Sequence, residues 1–235
     1  IEVKTKLLVG ADGAHSWTRR YFKMGRPKEM MIGFQSDVSG LTGKDNWLEM
    51  YTGRDIAPGL FAWVIPTGNN THRIGIWGRP QDLEGRSVEQ CYDNLISHPL
   101  WKKRFEGVRE IARYCGPVPC GTLRKPFKNR VMLIGDAAGM AKPTTGGGIG
   151  PGFRQVEAII GKLVKAIQID KLEASNLSSV CKSFKAFRKE QDRARALRDL
   201  LVTIPDDEEL DSHFRMFNRP EVLDLINAEG DIEHP

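Results

Sequence analysis

The residues with the clearest potential for chemistry lie between positions 130 and 167. A short apolar run at 131–134 is typical of a strand buried on both faces, and Gly135 and Asp136 follow it directly. Open α/β sheets bind their ligands beyond the carboxyl ends of such strands. The Asp136 carboxylate is therefore expected to accept hydrogen bonds from a sugar-like chain of hydroxyl groups.

A glycine-rich stretch at 146–150 then leads into a helix. Glycines let backbone amides approach a ligand closely, and the first turn of a helix presents free N–H groups and a partial positive charge. An electron-rich or anionic group is favoured there. The plainer alternative is that the glycines form a turn and Asp136 caps a helix. The apolar positions that predict the helix are Val156, Ile159, Ile160, Leu163, Val164 and Ile167.

The order Gly135-Asp136-Ala137-Ala138, Pro143 and Gly146-Gly147-Gly148-Ile149 resembles the second flavin-contacting motif of the FAD-dependent oxidoreductases related to p-hydroxybenzoate hydroxylase. The resemblance implies FAD as the cofactor and places Asp136 on its ribityl or ribose hydroxyls. The cofactor-binding candidates in this motif are Gly135, Asp136, Pro143, Gly147, Gly148 and Ile149.

A second motif near the start of the chain strengthens the match. A short strand at 7–9 precedes Asp12-Gly13, and Ser16 is placed to cap a short helix that contains Arg19. This spacing resembles the Asp-Gly motif of the same flavoproteins, which adds Asp12 and Arg19 to the cofactor-binding candidates. Asp12 could equally be structural and hold turn amides.

The family's N-terminal G-x-G-x-x-G unit, which binds the FAD pyrophosphate, does not occur in this sequence. We therefore expect the chain to be part of a longer flavoprotein. The same absence supports an alternative from a different class, a non-catalytic remnant that binds a lipid or a partner without FAD.

Residues 28–115 have the short, partly alternating runs of an antiparallel sheet. The runs 60–65 and 72–77 are expected to pair as a hairpin through a turn at 66–70. Alternation along the first run would place Phe61, Trp63 and Ile65 on one apolar face.

The segment Phe61-Ala62-Trp63-Val64-Ile65-Pro66 is similar to a signature of the geranylgeranyl reductases, in which its aromatic residues line the substrate cavity. Phe61, Trp63, Ile65 and Pro66 are thus the substrate-binding candidates. The resemblance implies hydride transfer from reduced flavin to a C=C bond of a geranylgeranyl lipid or diphosphate, followed by protonation. Ile65 departs from the usual Phe and is similar to the motif of flavin-dependent halogenases, so an aromatic hydroxylase or halogenase remains an alternative. No catalytic residue or electron donor is identified.

Two regions are expected to be helical. The first is 87–114, with a break at Pro99, and the second follows Ile169. In the second region an apolar stripe is formed by Val180, Phe184, Phe187, Ala194, Leu197 and Leu201. The other faces are basic and carry Lys182, Lys185, Arg188, Lys189, Arg193, Arg195 and Arg198. Such faces could rest on anionic lipid, although they are more often simply solvated. Acidic residues from Asp206 predict another helix start. The final segment, 230–235, resembles one near the end of archaeal geranylgeranyl reductases.

Composition and residue spacing argue against nucleic-acid binding, a membrane span and a metal site. The net charge of +5 comes from 35 basic residues interleaved with 30 acidic ones, and no nucleic-acid motif accompanies it. No apolar run reaches the roughly 20 residues of a membrane span, so we expect a cytoplasmic protein, peripheral at the membrane at most. The four cysteines lack zinc-site spacing, so no metal site is expected, and Cys115 and Cys120 are more readily two buried thiols than a disulfide.

The predicted fold class is α/β (α+β), with a partial Rossmann-like FAD-binding domain, an antiparallel-sheet substrate domain and C-terminal helices. The corresponding ranges are 1–27 with 116–170, 28–115 and 171–235.

Overall fold

The mixed helix and sheet architecture expected from the sequence is confirmed by the computed structural model, which describes residues 2–42, 46–203 and 206–230. Within those residues the strands are β1 (Leu8–Gly10), β2 (Glu29–Ser39), β3 (Glu49–Gly53), β4 (Ala57–Gly68), β5 (Thr71–Gly78), β6 (Arg109–Cys120), β7 (Phe127–Lys128) and β8 (Val131–Leu133). The α-helices there are α1 (Trp17–Tyr21), α2 (Val88–Ser97), α3 (Ile149–Gln168), α4 (Ala174–Val180), α5 (Phe184–Leu201), α6 (Asp207–Phe217) and α7 (Pro220–Glu229).

The described chain divides into two compact units. The first contains residues 2–30 and 118–197, and the second contains Met31–Pro117 and Arg198–Gly230. Each unit has its own sheet, with strand order β1-β8-β7 in the first and β3-β4-β5-β2-β6 in the second.

Strand β8 is the centre of the first unit. It pairs in parallel with β1, with Leu8 opposite Val131, and antiparallel with β7. All three residues of β8 are buried, as the unbroken apolar run predicts. Met132 packs against Ile159 and Leu163 of α3, whereas Leu133 belongs to a separate cluster on the other side of the sheet. The end of β8 is therefore held on both faces.

The second unit buries one face of its antiparallel sheet against α2. Ala62 and Val64 of β4 lie in one core with Cys91 and Leu95 of α2. Helix α2 begins at a capping box in which Ser87 and Gln90 satisfy each other's backbone N–H groups. Alternation along β4 then leaves the side chains between the core positions on the opposite face.

The hairpin of β4 and β5 differs from the prediction at its turn. Strand β4 continues to Gly68, which pairs with Thr71, so the connection is only two residues long. Asn69 and Asn70 form it, with φ values of +53° and +57°. Consecutive left-handed residues match the twist of the strands, and asparagine tolerates this conformation better than other side chains.

The prediction that residues 87–114 are helical is wrong for the second half of that range. After α2 and a short 3₁₀ turn at Lys102–Phe105, the chain forms strand β6 instead. Gly107, at φ +81°, ends the turn. Strand β6 lies at the sheet edge beside β2, and its exposed residues follow one another instead of alternating with buried ones as in a half-buried strand. Its two prolines are tolerated at an edge.

The faces of α5 also differ from the expected pattern. Arg195 and Arg198 are buried, with 6% and 2% exposure, whereas Leu197 is exposed. Arg195 binds Glu29 at 2.7 Å and Asp192 at 2.8 Å, so ion pairs accompany its burial. The predicted apolar positions Phe184 and Ala194 are buried as expected. Four other cations of the expected basic face, Lys182, Lys185, Lys189 and Arg193, are exposed, so contact of that face with a membrane stays a prediction.

Three smaller expectations have clear outcomes. Ser16 caps α1 and Asp206 caps α6, as predicted. All four cysteines are free, but Cys115 is exposed, so the expected burial of that thiol is wrong. Residues 231–235, which carry most of the C-terminal resemblance, lie outside the described residues. Among the helices that are described, none combines the length and the apolar character needed to cross a bilayer.

Candidate functional site

The turn that follows β8 carries Asp136. It is a 3₁₀ turn at Gly135–Ala138, and Gly135 and Gly139 adopt left-handed φ values of +59° and +77°. A Cβ at Gly139 would lie 2.8 Å from the Gly121 carbonyl oxygen. Only glycine therefore allows the chain to leave the strand in this path and present the carboxylate at the strand end.

The Asp136 carboxylate lies against the start of α3. A Cβ at Gly148 would come within 2.8 Å of Asp136 Oδ1, so the absence of a side chain there lets the carboxylate approach the backbone. Burial raises the pKa of Asp136. Among the described residues, the carboxylate has no hydrogen-bond donor or cation as a partner. It is an acceptor that a ligand's hydroxyl groups would satisfy.

One cleft joins the two sequence motifs. It has a volume of about 520 Å³ and brings the loop after β1 together with the turn after β8 and the start of α3. Its lining residues are Ala11, Gly13, Ile134, Gly135, Asp136, Gly148, Ile149, Gly152, Phe153 and Val156. Four of the cofactor-binding residues predicted from the second motif therefore line the cleft: Gly135, Asp136, Gly148 and Ile149.

Arg19 lies behind this cleft and connects the two motifs. Its guanidinium donates to the carbonyl oxygens of Ala14, at 2.6 Å, and Ala137, at 2.9 Å. Burial lowers the pKa of Arg19, and the neighbouring Arg20 lowers it further. Because its donors are directed at backbone carbonyls, Arg19 fixes the positions of the two loops relative to each other.

Asp12 caps α1. Its carboxylate accepts from Ser16 Oγ at 2.6 Å and from the backbone N–H of Thr18 at 2.8 Å. Partial burial opposes ionisation, but these hydrogen bonds prevail and lower the pKa of Asp12 from 3.8 to about 2. Every contact of this carboxylate is to its own helix start, which favours the structural alternative for Asp12.

The linker between the turn and α3 closes on itself. The Lys142 N–H donates to the Gly147 carbonyl at 3.0 Å, and the Gly146 N–H donates to the Lys142 carbonyl at 2.9 Å. Pro143 is buried within this loop and Gly147 is exposed. Neither lines the cleft, so their contribution is to set the entry into α3.

Gln155 is a residue of the site region that the sequence motifs did not identify. It is fully buried on α3, and its Oε1 accepts the Gly135 N–H at 2.8 Å. Its Nε2 is buried and has no hydrogen-bond partner in the described part of the chain. The available signal was a polar residue on the apolar stripe, four positions before Ile159.

The residues around the cleft fit a flavin nucleotide. The unpartnered Asp136 carboxylate suits sugar hydroxyls, Gly148 leaves space that a Cβ would fill, and the first turn of α3 supplies free N–H groups. No group of three metal-ligating side chains occurs in the described ranges.

The substrate-binding candidates lie in the second unit. Phe61, Trp63 and Ile65 share the face of β4 opposite the α2 core and are half-buried. The ring of Phe61 is 6.1 Å from that of Trp63 and 5.9 Å from that of Trp77, centre to centre. Trp63 covers Gly75 of β5, where a Cβ would be only 2.1 Å from its ring.

Pro66 does not join the other three candidates. It is paired with His72, two positions along from the Val64–Ile74 pair of the core, so its register places it on the core side of the strand. The aromatic face is therefore formed without Pro66.

Comparison with known proteins identifies the family. Residues 1–171 match the family model described as FAD binding domain. A digeranylgeranylglycerophospholipid reductase of Methanosarcina mazei is 28% identical over 97% of this chain and 58% of its own length. Among solved structures, a geranylgeranyl bacteriochlorophyll reductase-like protein from Thermoplasma acidophilum has a TM-score of 0.77 at 19% identity, over 96% of this chain and 62% of that one.

The flavin-dependent halogenase CmlS shares the fold, with a TM-score of 0.63 at 14% identity over 93% of this chain and 44% of its own. The chain spans just under three fifths of the length of the first curated relatives that it matches, at 59% and 58%. The motif-based resemblance to the geranylgeranyl reductases is confirmed by these relatives. The chain therefore belongs to the FAD-binding domain family of FAD-dependent oxidoreductases, alongside the digeranylgeranylglycerophospholipid reductases.

Proposed function

We propose that this chain contributes the FAD site and the prenyl-binding face of an enzyme that reduces C=C bonds of geranylgeranyl lipids. The observation that carries the proposal is the meeting of two flavin-type motifs at one cleft, where the Asp136 carboxylate has no partner among the described residues. The named reductases among the relatives support a geranylgeranyl glycerophospholipid as the substrate.

FAD would supply the redox chemistry, and residues of this chain would bind and orient it. FAD, when bound, supplies two-electron hydride chemistry, with electrons from a donor outside this chain. Asp136 would hold the sugar hydroxyls, the amides of Gly148 and Ile149 would face the flavin's electron-rich edge, and Arg19 would fix the loops that position them. These contacts orient the cofactor and help to exclude water from its surroundings.

The aromatic face of β4 is our candidate for the prenyl contact. Phe61, Trp63 and Ile65 form an apolar surface, and Gly75 lets the indole of Trp63 lie close to the neighbouring strand. An isoprenoid chain has no polar groups to satisfy, so a surface of this kind suits it. Work at such a lipid would suit a cytoplasmic enzyme that is peripheral at the membrane surface.

The first test is a titration of the purified chain with FAD, followed by flavin fluorescence. Asp136→Ala should weaken binding about 10- to 150-fold, the loss expected for a hydrogen bond to a charged group. Glu157→Ala is the matched control, because it removes an exposed carboxylate from α3 outside the cleft. Equal binding by all three proteins would contradict the role of Asp136.

The second test is turnover of a geranylgeranyl glycerophospholipid by the FAD-loaded chain, with dithionite as the reductant. The proposal expects a product that has gained hydrogen at its double bonds, and a slower reaction in Trp63→Ala. Oxygenated or halogenated products formed only with O₂ would instead favour the hydroxylase or halogenase alternative. Lipid binding that is unchanged by FAD, without any turnover, would favour the non-catalytic alternative.

A further inference from the structure

The first unit has a second feature, distinct from the flavin cleft although Arg19 contacts both, in the surface formed by α1, the loop that follows it and the neighbouring part of α5. Two adjoining clefts there, of about 600 and 410 Å³, share Arg26 as a lining residue. We call this region the basic surface. The cations that line its two clefts are Arg19, Arg20, Lys23, Arg26, Lys28, Arg124 and Arg188.

The positive charge of the basic surface is not balanced from within. Among the described residues, Asp192 is the one carboxylate that lines either cleft, and it already binds Lys28 at 3.0 Å and Arg195 at 2.8 Å. Lys23 and Arg26 have no ion-pair partner in the described part of the chain. Burial lowers the pKa of Arg188, and the adjacent Arg124 lowers it further. An anionic partner would relieve this repulsion.

Exposed aromatic rings lie on α1, the helix that carries two of these cations, Arg19 and Arg20. Trp17 and Tyr21 of α1 are 58% and 64% exposed, and their rings stack with centres 4.6 Å apart. Arg20 lies between them in sequence and Lys23 follows the helix. Rings of this amphipathic kind are enriched at the headgroup level of membranes, where lysine and arginine meet anionic lipid.

We propose that the basic surface docks on an anionic phospholipid membrane, with Trp17 and Tyr21 at the headgroup level and lipid phosphates in the two clefts. The inference deepens the proposed function, since it names the surface by which the enzyme would reach a lipid substrate, and it rests on that function for its purpose. It overlaps the basic face of α5 that the sequence suggested only at Arg188, which lines one of the two clefts, whereas Arg195 and Arg198 are buried.

The test is flotation of the FAD-loaded chain with vesicles of phosphatidylcholine alone or mixed with phosphatidylglycerol. Binding should require the anionic lipid and fall as salt rises. Lys23→Gln with Arg26→Gln should weaken it about 25-fold, at about fivefold per cation. The matched control is Lys102→Gln with Lys103→Gln, which removes two exposed cations from the second unit and should change binding less than about twofold.

A second pair of variants tests the aromatic contact. Trp17→Ala should weaken vesicle binding even at high salt, whereas Trp47→Ala, at another exposed tryptophan, should not. Thermal unfolding of all variants checks that they fold alike. The proposal would be overturned if the two double variants lost vesicle binding equally. Equal binding of the unaltered chain to neutral and anionic vesicles would also overturn it. So would tight binding of inorganic phosphate with no vesicle binding, because the clefts would then be sites for a free phosphate.

Turnover separates this inference from the proposed reaction. If the basic surface serves the membrane, Lys23→Gln with Arg26→Gln should slow reduction of lipid in anionic vesicles and leave reduction of detergent-solubilised lipid unchanged. Loss of turnover in detergent by the unaltered chain would instead contradict the reaction, while vesicle binding could still stand.

Discussion

Replacing Gly148 by alanine should separate cofactor binding from folding. The new Cβ would lie 2.8 Å from Asp136 Oδ1, whereas normal C···O contacts begin near about 3.3 Å, so the carboxylate must move by roughly 0.5 Å. The backbone itself accepts alanine, because Gly148 has φ −111° and ψ −17°. The perturbation therefore acts on the position of Asp136 and on access to the α3 amides.

The expected effects have different sizes. Loss of one hydrogen bond to a charged group corresponds to about 1.5–3 kcal/mol, or about 10- to 150-fold in affinity, and a displaced carboxylate should cost at least the lower figure. Alanine is a poorer helix cap than glycine, but it also restricts the unfolded chain, so the free energy of unfolding should stay within about 1 kcal/mol of its original value.

The assay combines FAD titration with urea unfolding of the apoprotein. Gly161→Ala is the matched control on the same helix, because a Cβ there meets nothing within 4 Å. It should stabilise the protein by about 0.5–1 kcal/mol and leave FAD affinity within about twofold. The reasoning is refuted if Gly148→Ala binds FAD as tightly as Gly161→Ala does.

Three further predictions concern stability. Asp136→Asn should stabilise the apoprotein near pH 7, since burial raises the folded-state pKa of Asp136 and disfavours its charge. In urea unfolding at falling pH, this gain in stability should shrink as the Asp136 carboxyl becomes protonated. A gain that stays constant with pH would argue against this cause. Asp12→Asn should cost about 1 kcal/mol near pH 7, and the cost should decline as pH falls from 3.8 towards about 2, the folded-state pKa of Asp12. Gly75→Ala should destabilise the second unit by about 1–3 kcal/mol and alter the tryptophan emission, because its Cβ displaces Trp63; Gly116→Ala, which has open space, should do neither.

The parts of the site that could be predicted from sequence depend on local chemistry. Asp136 and Gly148 are found because a carboxylate at a strand end and a glycine before a helix have direct physical reasons. The contacts of Arg19 could not be anticipated, since its partner Ala137 is 118 positions away. The lack of a hydrogen-bond partner for Gln155 Nε2 among the described residues also results from tertiary packing and could not be predicted. The position of Gln155 on an apolar stripe was nevertheless a usable signal.

Secondary structure was predictable where burial of one face imposes a regular spacing of apolar residues, and less predictable elsewhere. Strand β4 alternates between core and opposite face as expected, because one side packs on α2. Strand β6 gave no such signal, since it lies at an edge and takes its conformation from pairing with β2. On α5, Arg195 is buried by its ion pairs with Glu29 and Asp192, which lie outside any rule of apolar spacing.

The parallel pairing of β1 with β8 has a consequence for how the first unit folds. Leu8 meets Val131 only after the whole intervening chain has formed a loop, and the entropic cost of closing a loop rises with its length, though slowly. Contacts of such long range slow folding, because the loop must close before they contribute. Since the flavin cleft needs both strand ends, we expect cofactor capture to be a late event in refolding. FAD would then act as a reporter of completed long-range assembly.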